Sequence, residues 1–473
     1  MVFLRSLPRW PVLAVFLPLL AGCSSTLPAA APEHPQNEAA ASTQTLHELA
    51  LGAASPDETT RNAAIIALRA AGQPGLDALF EAHAAVIARL TRPDGPATDD
   101  DAIRVRYALE KVSRQRDVHA SRLYWYTNLN DARAEAQKTG KPILSLRLLG
   151  NLDDELSCAN SRFFRTALYP DQNIGKRLRQ SFVLHWQSER PAPKVTIDFG
   201  DGRKLERTVT GNSIHYVLNS KGHLLDAIPG MYGPAAFLQV LNDALELHVR
   251  TMLQSDDERR ETVRAFHAEK RDNLARAWAN YTGLPVVPPN PRSSEITYPP
   301  AFEAVATAVP KAAVETPIVQ AVQANVVPLP VPGDTPAWNA VVDSFTSQSH
   351  LDANAKAFMR SKVAADVDST GRVVTPLDNA AFERKLQAFE RAVGEDTARN
   401  EFSMHRVLHD WLAMTPPPEE LESFNTRVYA SLFLTPRADP WLGLLLKDVY
   451  SGIEREGVKL DRQATGPQSG AGK

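Results

Sequence analysis

Cysteine is nearly absent. The 473 residues hold two, Cys23 and Cys158. A disulfide-stapled scaffold is therefore excluded, and stability must come from apolar cores. An apolar content of 43% is adequate for that. An excess of charge of either sign is also lacking. The 52 Lys and Arg face 55 Asp and Glu, a net charge of −3, so no electrostatic case exists for nucleic acid. After residue 20 no apolar run reaches the ~20 residues of a membrane-spanning helix. Several catalytic signatures are missing: a Gly-rich phosphate loop closed by Lys and Ser/Thr, His-Glu-x-x-His, and a serine nucleophile elbow. Gly200-Asp201-Gly202 reads as a turn.

What is present begins with a leader. Arg5 and Arg9 precede an apolar stretch from Trp10 to Leu20, too short to span a bilayer and of the right length for a signal peptide core. Leu20-Ala21-Gly22-Cys23 comes next and resembles a bacterial lipobox. The resemblance implies cleavage before Cys23 and a diacylglycerol on its sulfur. Several acyl chains hold a protein firmly on a membrane where one does not. Ser24, where no Asp stands, implies outer-membrane retention in that family. The expected location is therefore the cell envelope, lipid-anchored and facing the periplasm. An ordinary signal peptide or short apolar anchor is the plainer alternative.

The segments expected are a signal peptide at 1–22, a disordered tether at 23–43, a helical segment at 44–118, an α/β domain with a helical extension at 119–282, a Pro-rich linker at 283–334, a helical domain at 335–460 and a disordered tail at 461–473. In the helical segment, Ser55-Pro56-Asp57-Glu58 reads as a capping box. Helices are expected through Ile65 and Leu68, from Pro74 to Ile87, and near 101–114. Paired short helices resemble one HEAT-like repeat, although a small helical cap on the next domain is the simpler reading. The stretch 256–276 is densely charged and is expected to be solvated. In the C-terminal part Asp378 should cap a helix bearing Phe382, Leu386, Phe389 and Val393, and Trp441 to Val449 is expected to be helical.

Residues 119–282 read as helix, strand, helix, strand, two hairpins, helix. Gly140 stops the first helix, Ile143 to Leu149 form a buried strand, and a helix starts near Cys158. With Trp125, the Ala-rich helix from Ala132, Gly140-Lys141-Pro142, and Tyr169, Ile174 and Phe182 at matching spacings, this order resembles the periplasmic branch of the thioredoxin-like fold. The resemblance covers about a quarter of the chain. The fold class expected is thus α/β plus all-α: a thioredoxin-like centre between helical segments.

The resemblance puts Cys158 at the nucleophilic position, Ser161 at the resolving one and Ser213 where the family has a cis-proline beside its substrate. A helix N-terminus favours thiolate, whereas Asp153, Asp154 and Glu155 upstream oppose it. One thiol cannot complete an internal dithiol cycle. Two functions are then open. The module either binds an envelope protein without chemistry, with Cys158 inert in a core, or Cys158 carries monothiol disulfide or peroxide chemistry with Ser161 bonded to its sulfur. No cofactor is implied. Glu401, His405 and His409 share one helical stripe but span two turns, too far for one ion, so no metal set is read from them. His185 and Trp186 read as packing residues at the sheet rim.

Overall fold

The computed structural model describes residues 45–283 except 93–96 and 210, positions 308, 309, 311 and 315, and 336–444 except 364, 368–372, 377, 415–419, 436–437 and 443, with 453 and 458. The leader, Cys23, most of the linker and the tail 461–473 lie outside the described residues.

Five helices come first: α1 (45–52), α2 (Glu58–Ala70), α3 (Gln73–Ala82), α4 (Ala84–Leu90) and α5 (Asp100–Ser113). Their inner faces, including Leu68, Leu79, Val105 and Leu109, make a core of their own. The start of α2 departs from expectation. Asp57, not Ser55, is its N-cap and accepts from the Thr60 N–H at 2.8 Å. The Ser55 hydroxyl accepts from the Asp57 N–H at 3.1 Å, which shapes the approach rather than the first turn. The helix expected from Pro74 to Ile87 breaks at His83, whose backbone leaves the helical region. Arg69 ties this segment to the start of the central elements, donating to the Val112 carbonyl at 2.8 Å and the Trp125 carbonyl at 2.6 Å.

The central elements are α6 (Leu129–Thr139), β1 (Ile143–Leu149), α7 (Ala159–Phe163, continued as a π turn over Phe164–Leu168), α8 (Gln172–Ser181), β2 (Val183–Arg190), β3 (Lys194–Asp198), β4 (Lys204–Thr208), β5 (Ile214–Leu218), β6 (Leu224–Pro229), α9 (Pro234–Thr251) and α10 (Asp256–Thr282). Gly140 ends α6 at φ 71°, a left-handed cap that glycine adopts without a Cβ penalty. The main sheet has the order β2-β1-β5-β6. β1 runs parallel to β2, and β5 is antiparallel to both β1 and β6. The two strands β3 and β4 form a separate, mostly exposed ribbon.

The C-terminal elements are α11 (Pro336–Thr346), α12 (Ala353–Lys362), a short ladder of β7 (Ala365–Val367) and β8 (Val373–Pro376), α13 (Asn379–Arg399, continued as a π turn over Asn400–His405), α14 (Arg406–Ala413) and α15 (Leu421–Arg427, continued as a π turn over Val428–Leu432). Asp378 caps α13 as expected, accepting from the Ala381 N–H at 2.6 Å. Trp441 and Leu442 lie in a turn, and 445–449 of the helix expected there fall outside the described residues.

The helices expected as a separate C-terminal domain do not keep to a separate core. Phe382, Leu386, Leu408, Phe424 and Val428 belong to the same buried cluster as Ile143, Leu146 and Ile214. Other residues of these helices, Trp338, Val341, Phe345, Ala398 and Phe402, pack on one another and on Leu274 and Trp278 of α10 in a smaller cluster. The charged helix α10 is corrected likewise. Arg259, Val263, Phe266, His267, Leu274 and Trp278 form a buried stripe, while its other charges face outward. Ala308, Lys311 and Glu315, within the expected linker, are also buried.

A charged group stands at the centre of this core. Arg147 on β1 is fully buried. Its guanidinium meets Glu189 of β2 at 3.2 Å and Glu422 of α15 at 2.5 Å. One strand partner further, the Tyr216 hydroxyl donates to Asn425 Oδ1 at 3.0 Å. Removing one member of a buried ion pair costs about 3–5 kcal/mol, because the other is left without its counter-charge. Arg147→Ala should lower unfolding free energy in urea by that amount, since Glu189 is buried with it. Glu422→Gln, whose side chain is 56% exposed, should cost less than about 1 kcal/mol. Equal losses in the two variants would contradict this assignment.

Candidate functional site

Cys158 is the N-cap of α7, in extended conformation, and its amide donates to the Leu149 carbonyl at 3.2 Å. The thiol therefore sits where β1 gives way to a helix, at the carboxyl end of the central strand. It is fully buried. The backbone of Gly211 lies directly over it. A Cβ on Gly211 would stand 2.8 Å from Cys158 Cβ, and Gly211 has φ +123°, so both the contact and the backbone require glycine.

Ser161 does not serve the sulfur. Its hydroxyl lies 2.9 Å from the Cys158 carbonyl and 2.6 Å from the Ser157 hydroxyl, bonds that fasten the first turn of α7. Ser213, also buried, accepts from the Gly230 N–H at 2.9 Å through its carbonyl. Its hydroxyl has no hydrogen-bond partner among the described residues. The upstream acids are engaged elsewhere: Asp153 with Arg114 at 3.5 Å, Asp154 with the Asn151 amide at 3.1 Å and Glu155 with Arg116 at 2.9 Å.

The backbone between Gly211 and Ser213 is covered by two distant parts of the chain. Lys311 Nζ donates to the Gly211 carbonyl, and the Tyr429 hydroxyl donates to the Asn212 carbonyl at 3.1 Å. The Asn212 side-chain amide in turn reaches the Phe433 carbonyl at 3.4 Å. Burial pushes the Tyr429 phenol well above its ordinary range, with the charges of Glu189 and Cys158 among the groups that add to it. Tyr169, on the other side of the thiol, is raised in the same way by burial and by Cys158. Nothing in the sequence around Cys158 signals Lys311 or Tyr429.

A second polar cluster lies where α10 and the helix from Asn400 to Ala413 meet β6. His405 and His409 are buried here with the half-buried Glu401 beside them, and the buried Asp226 of β6 and His267 of α10 join them. The Tyr232 hydroxyl donates to Glu401 Oε2 at 2.9 Å, and His405 Nδ1 approaches the same oxygen at 3.2 Å. His405 Nε2 faces Asp226 Oδ1 at 3.6 Å, an ion-pair distance. Burial alone would lower the His405 pKa, but Glu401 and Asp226 outweigh it and hold it at about 9. Burial and the neighbouring His405 cation hold His409 well below its ordinary value, and burial lowers His267. Asp226, His267 and His409 offer ligand atoms that all lie within 4.8 Å of one another. Sequence spacing could not bring these three together, because they come from three separate elements.

His185 of β2 is fully buried, the packing residue that the sequence suggested. Its Nδ1 lies 2.8 Å from the Ser145 hydroxyl. His215 Nε2 is 2.8 Å from the Tyr169 hydroxyl, and its ring packs on Phe164 and Phe237.

No family model matches the chain, and no match is found among curated proteins or solved structures.

Three buried histidines must stay neutral. Burial lowers His119 to about 4, and His185 and His215 each to about 3. An unfolded chain protonates them near 6.5. Their contribution to stability is therefore complete above that pH and is lost as pH falls from about 6.5 towards 4 and 3. Acid titration of urea stability should show this loss. His119→Gln should make its slope shallower by up to about 1.4 kcal/mol per pH unit. An unchanged slope would contradict a neutral buried His119.

Proposed function

We propose that this chain is a lipid-anchored cell-envelope protein whose thioredoxin-like centre binds another protein rather than performing thiol chemistry. The observation that carries the reading is the closure of the thiol end. Cys158 is fully buried. The backbone beside Ser213, which in the resembling family meets a substrate chain, is bonded to Tyr429 and Lys311 of the same chain. Support for the fold reading comes from the order β2-β1-β5-β6 with β1 and β2 parallel, and from Cys158 heading the helix that leads from β1. The β3–β4 ribbon is mostly exposed, and Phe199 at its turn is an uncovered apolar side chain available to a partner.

The alternative is monothiol exchange or peroxide reduction through Cys158, and the helix N-terminus beneath the thiol favours it. Alkylation separates the two. In full-length Cys23→Ala protein at neutral pH, a maleimide should label Cys158 at least about a thousandfold more slowly folded than in urea, because labelling waits on opening. Rapid labelling of the folded protein, abolished by Cys158→Ala, would establish the alternative.

The anchor is tested separately. Mass spectrometry of the mature N-terminus should find Cys23 as its first residue carrying a diacylglycerol, and Cys23→Ala should abolish both the lipid and the cleavage. An unmodified Cys23, or cleavage at the same place in Cys23→Ala, would defeat the lipid reading.

A further inference from the structure

The cluster between β6, α10 and α14 has the makings of a ligand set beyond the proposed binding role. His267 Nε2 lies 2.9 Å from the Leu225 carbonyl. A carbonyl only accepts, so Nε2 carries the proton and His267 Nδ1 presents a lone pair. That Nδ1 lies 2.9 Å from His409 Nδ1. Two ring nitrogens at this distance need a proton between them or a cation in its place. Histidine ligands to metals typically donate their other N–H to a carbonyl or carboxylate, which fixes the ring, and His267 already has this arrangement. Asp226 supplies an anionic oxygen in the same space, and its Oδ1 is oriented by the Ala227 N–H at 2.7 Å.

Two further observations point to the same place. His405 Nε2 is buried and faces Asp226 Oδ1 at 3.6 Å, so the carboxylate offered to the ion is already held in place by this ring. The turn Asn400–His405 that presents this ring is a π turn, a distortion that recurs at functional sites within helices. The charge balance also suits a cation. Asp226 and Glu401 supply two carboxylates against the single His405 cation, which leaves one negative charge, while the nearby Lys270 is paired with Asp243.

We propose that Asp226, His267 and His409 form a binding site for a divalent transition metal of the zinc class. Imidazole nitrogen and carboxylate oxygen are the donors such ions take, at roughly 2.0–2.2 Å. Two nitrogens on a tetrahedral ion stand roughly 3.3 Å apart at those bond lengths, so the rings need separate only slightly from their 2.9 Å spacing. The ion takes the place of the proton between the two rings, which moves from His409 Nδ1 to its Nε2, so that both rings bind as neutral imidazoles. A fourth position remains beside His405.

Cobalt(II) tests the site, because tetrahedral Co2+ has visible ligand-field bands. Purified full-length protein, stripped with a chelator and dialysed, should take up one equivalent of Co2+ with those bands, and Zn2+ should displace it. Asp226→Asn, close to isosteric, should weaken binding by at least about tenfold. His409→Gln should abolish the bands. His350→Gln, at an exposed histidine, should bind as the parent does. Circular dichroism checks that each variant is folded. If the parent protein develops no stoichiometric tetrahedral spectrum, the proposal fails, and this holds whether or not the variants fold. It also fails if the bands persist in folded Asp226→Asn and His409→Gln alike.

Discussion

A guanidinium stays charged, and Arg147 places one in the middle of a sheet with no access to water. Such a charge is tolerated when carboxylates are brought to it. Glu189 comes from the adjacent strand, but the second carboxylate, Glu422, comes from α15, far along the chain. Glu189 is the buried counter-charge, and Glu422, largely exposed, adds a directed contact that links α15 to β1. Hydrophobic burial supplies the driving force, since Phe424, Val428 and Leu432 share the core of the sheet. It is non-directional, however. The buried Tyr216–Asn425 bond gives α15 its orientation, and the Arg147–Glu422 contact adds to it.

Once α15 is set there, its π turn carries Tyr429 to the Asn212 carbonyl and closes the surface over Cys158. The same logic operates at the other end of the helical part. Asp226 on an edge strand, His267 on α10 and the Glu401–His405–His409 stripe satisfy one another's charges and protons across three elements. Both buried polar sites thus join the C-terminal helices to the sheet. Both also consist of groups too costly to bury singly.

Local order was legible where local physics decides it. The apolar run of β1, the left-handed stop at Gly140, the turn signals of the two hairpins and the Asp378 cap all lie in short windows of sequence. The cap at Asp57 was misplaced because Ser55 and Asp57 are both good caps, and the choice depends on which amide each reaches. The α10 stripe was hidden by the number of charges on its outer face, although Arg259, Val263, Phe266, Leu274 and Trp278 do recur at helical spacing. The thiol position was readable, but its cover was not. Lys311 and Tyr429 reach it through long-range contacts that leave no periodic trace. The histidine cluster was half visible, as a stripe, and its remaining members come from two other elements.

The central claim is that α15 and its π turn belong to the same cooperative unit as the sheet and so seal the thiol. Native-state hydrogen exchange tests it most directly. The Cys158 amide, bonded to the Leu149 carbonyl, and the Thr435 amide, bonded to the Tyr429 carbonyl, should exchange with the same opening free energy as the amides of β1, the global value. Exchange at Thr435 and Cys158 at a much lower free energy than in β1 would mean that the cover opens by itself, and would contradict the account.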